Sequence, residues 1–572
     1  MANREIARIF LEMADMLELQ GVQFKPRAYR NAALSIESLS EDISSIYSKG
    51  GLAALREIPG VGESLAKKIE EFIRTGEVKS YLKMKKEFPV DLEALGAVGG
   101  IGPKKAMRLY RELGVMDLGT LEKAAKDGKI RKLSGFGEKS EQKILSGLGF
   151  AKSGIGRMPL AEAGALASEL VHMLEKCGAA EKIEVAGSYR RGKETVGDLD
   201  ILVLSSNPEG VMKHFLSMYP GSSTIMKGGK RSSIRLSSGI QVDLRVFSAD
   251  EFGSALMYFT GSKEHNVGMR KLAISKGMKL SEYGLFSGKK KVAGRTEGEV
   301  YKKLGMDWIP PELRENSGEI EAAGKHSLPK LVLHNEVRGD LHCHSEWSGD
   351  ASGSLEGLAK MAQSLNYEYL LISDHGGPEV RIVNGLDEKK LRKQMAEIDR
   401  LNRKLEGITL LRGVETNILK DGRIDLPDSI LRDLDIVLAS IHSNFSQPPQ
   451  TITKRIISAM ENEHVDIIAH PTGRLIGSRP PLQMDFGEVL DAAKRTGTSL
   501  EINCQPGRMD LDSQHIFSAK GKVPLSLGSD SHSPSQLHLM KFGVLNARRG
   551  WCTKKDILNC LPLKDLRKKF GF

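Results

Sequence analysis

Two sets of residues in this 572-residue chain have the types and spacing to act on phosphorus. The first opens with Gly187-Ser188-Tyr189-Arg190-Arg191-Gly192 and continues as Gly197-Asp198-Leu199-Asp200-Ile201-Leu202-Val203. Alternation along a strand puts Asp198 and Asp200 on one face. Neighbouring carboxylates repel unless a cation lies between them, so the pair points to divalent metal. The tight Gly-Ser turn and the arginines suit phosphate oxygens. Asp243, within Ile240-Gln241-Val242-Asp243-Leu244-Arg245-Val246, supplies a third acid on a second strand, the donor set of two-metal phosphoryl transfer. A lone Asp-x-Asp is often a solvated strand face; the turn, the arginines and the third acid together favour a site.

The second set is richer in imidazole. In Asp340-Leu341-His342-Cys343-His344 the alternation turns His342 and His344 to the same side, ready to chelate one ion. Asp350 follows, and His375, Glu415, His442 and His470 each come after an apolar, strand-like run, as do Asp530 and His532. Helix-like segments such as 355–364 and 388–405 separate these runs. Repeated β-α units with polar residues at the strand C-termini predict a parallel barrel with its active site on that rim. One histidine ending a strand is usually structural, but this many in step are not. Arg381, Arg474 and Arg508 fall in rim loops, where steering a phosphate and doing nothing are equally open.

The elements that must position these residues come from a chain too long for one core, so three to five domains are expected. Net charge is +11 and the pI about 9.1, a balance that suits a polyanionic partner. The five cysteines are scattered and make neither a disulfide framework nor a CxxC zinc site, which predicts a reducing cytoplasm. No apolar run approaches the ~20 residues of a membrane span, and the N-terminal residues lack a signal peptide's apolar core. A soluble, cytoplasmic protein without a membrane partner is the expectation. From Asn3 to about Leu19, Ile6, Ile9, Phe10, Met13 and Leu17 recur at helical spacing. In the segment that follows, Lys25, Tyr29 and Arg30 are candidates to face a DNA phosphate and Phe24 to stack on a base, with Tyr29 equally suited to a core. A Gly-apolar-Gly pattern then occurs three times, at Gly60/Gly62, Gly100/Gly102 and Gly135/Gly137, each before a basic helix. It resembles the helix-hairpin-helix element, whose turn grips the sugar-phosphate backbone without reading bases. Past Tyr301, Ile309-Pro310-Pro311 and the polar stretch 312–326 read as a linker or loose connection.

Residues 1–317 resemble the family X DNA polymerases of the polymerase-beta type, on Gly187-Ser188, Gly197-Asp198-Leu199-Asp200, Asp243 and the downstream Tyr258-Phe259-Thr260-Gly261-Ser262. The resemblance implies a lyase-like helical domain with a helix-hairpin-helix (1–85) and a helix-hairpin-helix DNA-binding domain (86–150). An α+β nucleotidyltransferase palm (151–250) and a nucleotide-checking domain (251–317) would follow. Asp198, Asp200 and Asp243 would hold two Mg2+ or Mn2+ ions, with Asp243 beside the primer 3′-hydroxyl. Arg157, Gly187, Ser188, Arg191 and Gly197 would bind the triphosphate of an incoming dNTP. Tyr258, Phe259 and Gly261 would pack against its sugar, and Asn266 and Arg270 would probe the minor-groove edge of the new pair. Lys68 stands where the family places its Schiff-base lysine, with Lys25 and Tyr29 at supporting positions. Ser64 and Phe24, however, depart from the family's lysine and histidine.

After a linker at 318–336, residues 337–572 resemble the polymerase and histidinol phosphatase (PHP) domain, a distorted (β/α)7 barrel with a trinuclear centre of Zn2+ or Mn2+. His342, His344, Glu415 and Asp530 would hold one ion, Glu415, His442 and His470 a second, and Asp350, His375 and His532 a third. The combination implies a monomeric polymerase that fills short gaps in gapped or nicked duplex DNA during base excision repair. It also implies a 3′–5′ exonuclease, 3′-phosphatase or abasic endonuclease in the barrel. Two other readings compete: a template-independent nucleotidyltransferase joined to a histidinol-phosphate-like phosphatase, and a nonenzymatic DNA-end scaffold.

Overall fold

The computed structural model covers residues 1–572 and describes all but 1, 20–21, 23–24, 38–42, 59, 88, 97, 99–100, 102, 139, 143, 146–147, 149–156, 220–221, 237–239 and 381–384. Phe24, Gly100, Gly102 and Arg381 therefore lie outside the described residues. The chain forms two compact units, Met1–Ile155 with Gly477–Pro480, and Gly156–Ile476 with Pro481–Phe572.

Within the first unit the described residues from Ala2 to Lys132 that form regular structure are helical, as the 3.6-residue spacing requires. Helix Ala2–Leu19 buries Ile6, Ile9, Phe10 and Met13. Of the two positions open to Tyr29 the structure shows the core: its ring lies edge-on to Phe10 at 5.4 Å. An aromatic ring gains more from burial than a solvated face returns. Arg30 is bound to Asp15 (2.8 Å) and Glu18 (2.6 Å), whereas Lys25 is exposed. The apolar residue between each pair of glycines, Val61, Ile101 and Phe136, is buried, so it anchors its turn as expected. Gly60 and Gly135 take φ of +79° and +78°, a conformation only glycine adopts at little cost. Gly62 is the extended cap of helix Glu63–Thr75, and Gly137 accepts from the amides of Ser140 and Glu141. Helix starts of this kind leave amides free for an anion.

The second unit begins with a five-stranded sheet. Strands β1 (Lys182–Val185), β2 (Asp198–Leu204), β3 (Ser223–Met226), β4 (Arg231–Arg235) and β5 (Gln241–Phe247) lie in the order β1-β2-β5-β4-β3. Only β2 and β5 are parallel, and their register sets Asp200 beside Asp243. Helix Leu160–Glu175 covers the sheet with Leu160, Ala163, Leu166, Ala167, Leu170 and Leu174. Helices Phe252–Thr260 and Lys263–Ser275 follow, then a three-stranded antiparallel sheet from Met278 to Ala293.

The stretch expected to be a loose linker is instead packed. Helix Glu319–Gly324 buries Ala323, and Glu319 has no exposed surface: it accepts from His265 Nδ1 (2.6 Å) and from the amides of Asn316 and Ser317. Its polar composition misleads because these side chains satisfy buried partners rather than water.

The strands from Gly339 to Gly528 form a single parallel sheet. Strands β6 (Gly339–Cys343), β7 (Tyr369–Ile372), β8 (Thr409–Asn417), β9 (Ile436–Ser440), β10 (Ile467–Ile468), β11 (Ser499–Asn503) and β12 (Leu525–Gly528) follow one another, and the short strand His375–Gly376 pairs with β8 off that path. A parallel bridge between Cys343 and Ser531 brings the last strand back toward the first, the nearly closed seven-strand barrel that the β-α repeat predicts. Strands covered on both faces need continuous apolar runs, and β7 and β9 are buried throughout. Met509 and Phe542 of this region are built into the core under the five-stranded sheet, so sheet and barrel share packing.

Candidate active sites

Strand alternation places Asp198 and Asp200 on one face of β2, and the β2–β5 register brings up Asp243. Arg245, two residues along β5 and so on the same face as Asp243, donates to Asp200 Oδ1 (2.7 Å) and to Asp243 Oδ2 (2.9 Å), with its guanidinium 4.3 Å over the Phe259 ring. Burial pushes Asp200 up to about 6 despite Arg245, and Asp198 and Asp243 add to the rise. Asp243 is held below the usual range: burial opposes its charge, but bonds from Ser233 and Gln241 and the Arg245 cation outweigh it. The raised Asp200 is short of positive charge, which fits a divalent ion, whereas Asp243 is already compensated by Arg245 and its hydrogen bonds.

Asp198 and Asp200, but not the more buried Asp243, line a cavity of about 430 Å3 together with Arg157, Gly187, Ser188, Arg191, Lys193, Tyr258, Phe259, Gly261, Lys263, Asn266 and Arg270. Every triphosphate, sugar and base candidate from the sequence except Gly197 lines it. Gly197 lies just behind, where a Cβ would come 3.0 Å from Arg157 Nη1. Gly187 has φ +63°, and a Cβ there would meet Asp200 Oδ2 at 2.8 Å, so the turn needs glycine twice over. Arg157 is steered by Thr195, through the hydroxyl (2.9 Å) and the carbonyl (2.7 Å). Asn266 Nδ2 donates to the Tyr258 carbonyl at 2.7 Å, tying the base-edge and sugar positions together. Lys193, Lys263 and Arg245 escaped the motif reading. Only Arg245 carried a signal, its strand alternation with Asp243.

The barrel residues converge more tightly. Glu415 is their hub: its Oε1 lies 2.8 Å from His470 Nε2 and 3.3 Å from His442 Nε2. Its Oε2 lies 2.9 Å from His375 Nδ1, 3.5 Å from His342 Nε2 and 3.7 Å from His344 Nε2. Asp530 Oδ1 approaches His344 Nε2 at 3.2 Å, and Asp350 Oδ2 sits between His375 (3.4 Å) and His532 (3.3 Å). The Nε2 atoms of His342 and His344 face each other at 3.1 Å. Buried atoms at this site, among them His344 Nδ1 and Glu415 Oε2, have no hydrogen-bond partner. Facing imidazole nitrogens and orphaned carboxylate oxygens around one point are the donor set of metal ions. His344-His375-His532, His342-His344-Glu415 and His375-Glu415-His442 each offer ligand atoms within 4.8 Å of one another; among the described residues no group in the sheet region does.

Burial drives His344 down to about 3 and His442 down to about 4, the neutral forms that metal binding requires. His375 moves the other way, to about 10, since the Glu415 and Asp350 carboxylates outweigh burial. His470 and Asp530 have φ of +29° and +51°, strained backbone at two of the candidate ligands. Behind the ligands lies a carboxylate that motif reasoning missed. Glu501 accepts from His342 Nδ1 (2.6 Å), the His470 amide (2.5 Å) and Asn503 Nδ2 (3.2 Å). At Gly528 a Cβ would collide with Glu501 and His342. The oxygen of Asn417 serves His442 Nδ1 at 3.0 Å. Such partners fix a ligating ring's tautomer. Of the rim arginines, Arg508 Nε lies 3.5 Å from Asp530 Oδ2, whereas Arg474 is buried against Glu194 and the Met509 carbonyl and cannot reach out to a phosphate.

The architecture and its two charged centres define a nucleotidyltransferase joined to a metal-type phosphoesterase barrel, and comparison with known proteins agrees. Residues 255–315 match the DNA polymerase beta thumb family, 157–221 the DNA polymerase beta palm, 1–78 a helix-hairpin-helix domain, 92–149 a SAM-like helix-hairpin-helix tandem and 340–503 the PHP domain. The chain is 38% identical over 99% of its length, and 99% of the relative's, to the DNA polymerase/3′-5′ exonuclease PolX of Bacillus subtilis. It is 27% identical over 54% of its length, and 62% of the relative's, to DNA polymerase lambda of Arabidopsis thaliana. It is also 35% identical over 34% of its length, and 75% of the relative's, to a probable phosphatase of Caldanaerobacter subterraneus. The chain belongs to the family X DNA polymerases that carry a C-terminal PHP domain.

Proposed function

We propose that this protein is a template-directed polymerase that fills short gaps in DNA during base excision repair, and that its barrel trims or cleans the 3′ end to be extended. The observation that carries this reading is the single cavity in which Asp198 and Asp200 adjoin Ser188, Arg191, Tyr258, Asn266 and Arg270. An acceptor without a template would have no use for the last two. Arg157, Ser188 and Arg191 would hold the triphosphate of a dNTP, and Tyr258, Phe259 and Gly261 would bound its sugar. Asp198, Asp200 and Asp243 fit Mg2+ or Mn2+, which when bound would neutralise the triphosphate and lower the pKa of the primer 3′-hydroxyl. Asp243 would also take that hydroxyl's proton.

In the barrel, Glu415 and Asp530 with His342 and His344, Glu415 with His442 and His470, and Asp350 with His375 and His532 would hold up to three Zn2+ or Mn2+ ions. Their chemistry there is hydrolysis of a phosphoester. The exonuclease named for the Bacillus subtilis relative and the phosphatases related to the barrel both act at phosphoesters, so a 3′-end substrate unites them. The basic chain and buried-anchor glycine turns support DNA as partner; the protein would act on gapped or nicked duplex as a cytoplasmic monomer. On helix Glu63–Thr75, Lys68 would serve as a Schiff-base lysine for a 5′-deoxyribose phosphate. Its neighbour Lys67 is engaged by Glu63 at 2.7 Å.

The test uses gapped DNA with and without dNTPs. Asp243→Ala should lose extension and keep 3′ trimming, and His344→Ala should do the reverse. Extension by wild type that ignores the template base would refute the polymerase reading. Loss of both activities in either variant would refute separate sites.

A further inference from the structure

The helix Met540–Arg549, which belongs to the barrel region, packs behind residues that line the cavity of the polymerase half. Arg549 Nη1 donates to the Arg191 carbonyl at 2.8 Å and lies 3.3 Å from Glu315 Oε1. Glu315 in turn accepts from Arg191 Nε (3.1 Å) and sits 3.4 Å from Lys193 Nζ. Arg191 and Lys193 both line the cavity, and Arg191 Nη1 also donates to the Thr260 carbonyl at 2.6 Å. One turn back on the same helix, Leu545 packs against Gly192, where φ is +67° and a Cβ would come within 2.6 Å of the leucine. The turn Ser188–Lys193 is therefore held from beneath by an apolar stop and by a guanidinium, both from the barrel region. Arg549 is itself almost fully buried. A buried guanidinium bonded to a main-chain carbonyl fixes that carbonyl, and with it the residue's side chain, more firmly than the half-buried turn could alone.

We infer that Arg549 is a positioning residue for the polymerase site: it holds Arg191 and, through Glu315, Lys193 where a nucleoside triphosphate's phosphates are received. The PHP region is then a structural part of the nucleotide pocket as well as a second enzyme. Glu315 neutralises the two cations while the pocket is empty, and Arg549 keeps that carboxylate from following Arg191 and Lys193 toward the incoming phosphates. The inference rests on the proposed polymerase reading.

The experiment measures single-nucleotide gap filling by full-length wild type, Arg549→Met and Arg549→Lys, with 3′-end hydrolysis of the same DNA as a check on the barrel. Arg549→Met should raise the KM for dNTP roughly ten-fold with kcat nearly unchanged, the signature of lost ground-state positioning. Arg549→Lys, which keeps the charge, should recover part of that loss, and barrel hydrolysis should match wild type in both. A dNTP KM in Arg549→Met equal to wild type, with extension intact, overturns the inference. Wild type unable to extend any primer would instead sink the polymerase reading beneath it. If Arg549→Met also loses barrel hydrolysis, Arg549→Lys decides, since it keeps the charge but lacks the fork that reaches both the Arg191 carbonyl and Glu315: a raised KM supports the inference and one equal to wild type overturns it.

Discussion

Replacing Glu297 by glutamine should destabilise the second unit by several kcal/mol at neutral pH and progressively less in acid. Glu297 is buried, and it joins residues from separate segments. Its Oε1 accepts from Arg190 (2.8 Å) and from Arg314 (2.6 Å), and its Oε2 accepts from Arg190 (3.0 Å) and Trp308 Nε1 (3.0 Å). Arg314 has no exposed surface; its Nε donates to the Ile309 carbonyl (2.9 Å), and Glu297 is the carboxylate it pairs with. Burial works against an ionised Glu297, yet the two guanidinium groups overcome it and draw its pKa from 4.5 to about 2. That drop corresponds to roughly 3 kcal/mol, and breaking one side of a buried ion pair costs about 3–5 kcal/mol. Because the folded pKa lies below the unfolded one, the contribution is complete above about pH 4.5 and disappears as pH falls toward 2. The wild-type advantage over Glu297→Gln should therefore shrink by about 2 kcal/mol between pH 6 and pH 3. Urea unfolding followed by Trp308 emission, with Trp347 and Trp551 changed to phenylalanine in both proteins, reads the difference directly. A gap below about 0.5 kcal/mol at pH 7, or one that stays constant down to pH 3, would refute the reasoning.

Two further outcomes are expected. Glu501→Gln should weaken metal retention by the barrel about 10–100-fold, because His342 Nδ1 and the His470 amide lose a charged acceptor; metal content after graded dialysis measures this, and an unchanged content would show that Glu501 does not orient the ligands. Lys68→Ala should abolish borohydride trapping on DNA bearing a 5′-deoxyribose phosphate while leaving gap filling intact; full trapping by the variant would remove Lys68 from that role.

Local patterns in the sequence carried both donor sets because each depends on a short-range rule. Strand alternation alone puts Asp198 with Asp200 and His342 with His344, and helical spacing alone assigns Ile6, Ile9, Phe10 and Met13 to a core. The Gly-apolar-Gly repeats likewise announced buried anchors at Val61 and Phe136. Within one element, then, the order of residues already settles which side chains face the same way. It also shows that acids and imidazoles of the right kind recur at element ends.

Which elements meet depends on long-range packing. The parallel pairing of β2 with β5 sets Asp200 beside Asp243 and leaves Arg245 between them, a result of register that no single strand encodes. Glu501 and Arg549 act on partners far away along the chain, and Glu319 turns an apparently loose polar stretch into packed structure by pairing with His265. A charged residue reads as solvated until its partner is known. Burial makes that partner obligatory, and only the fold brings the two together.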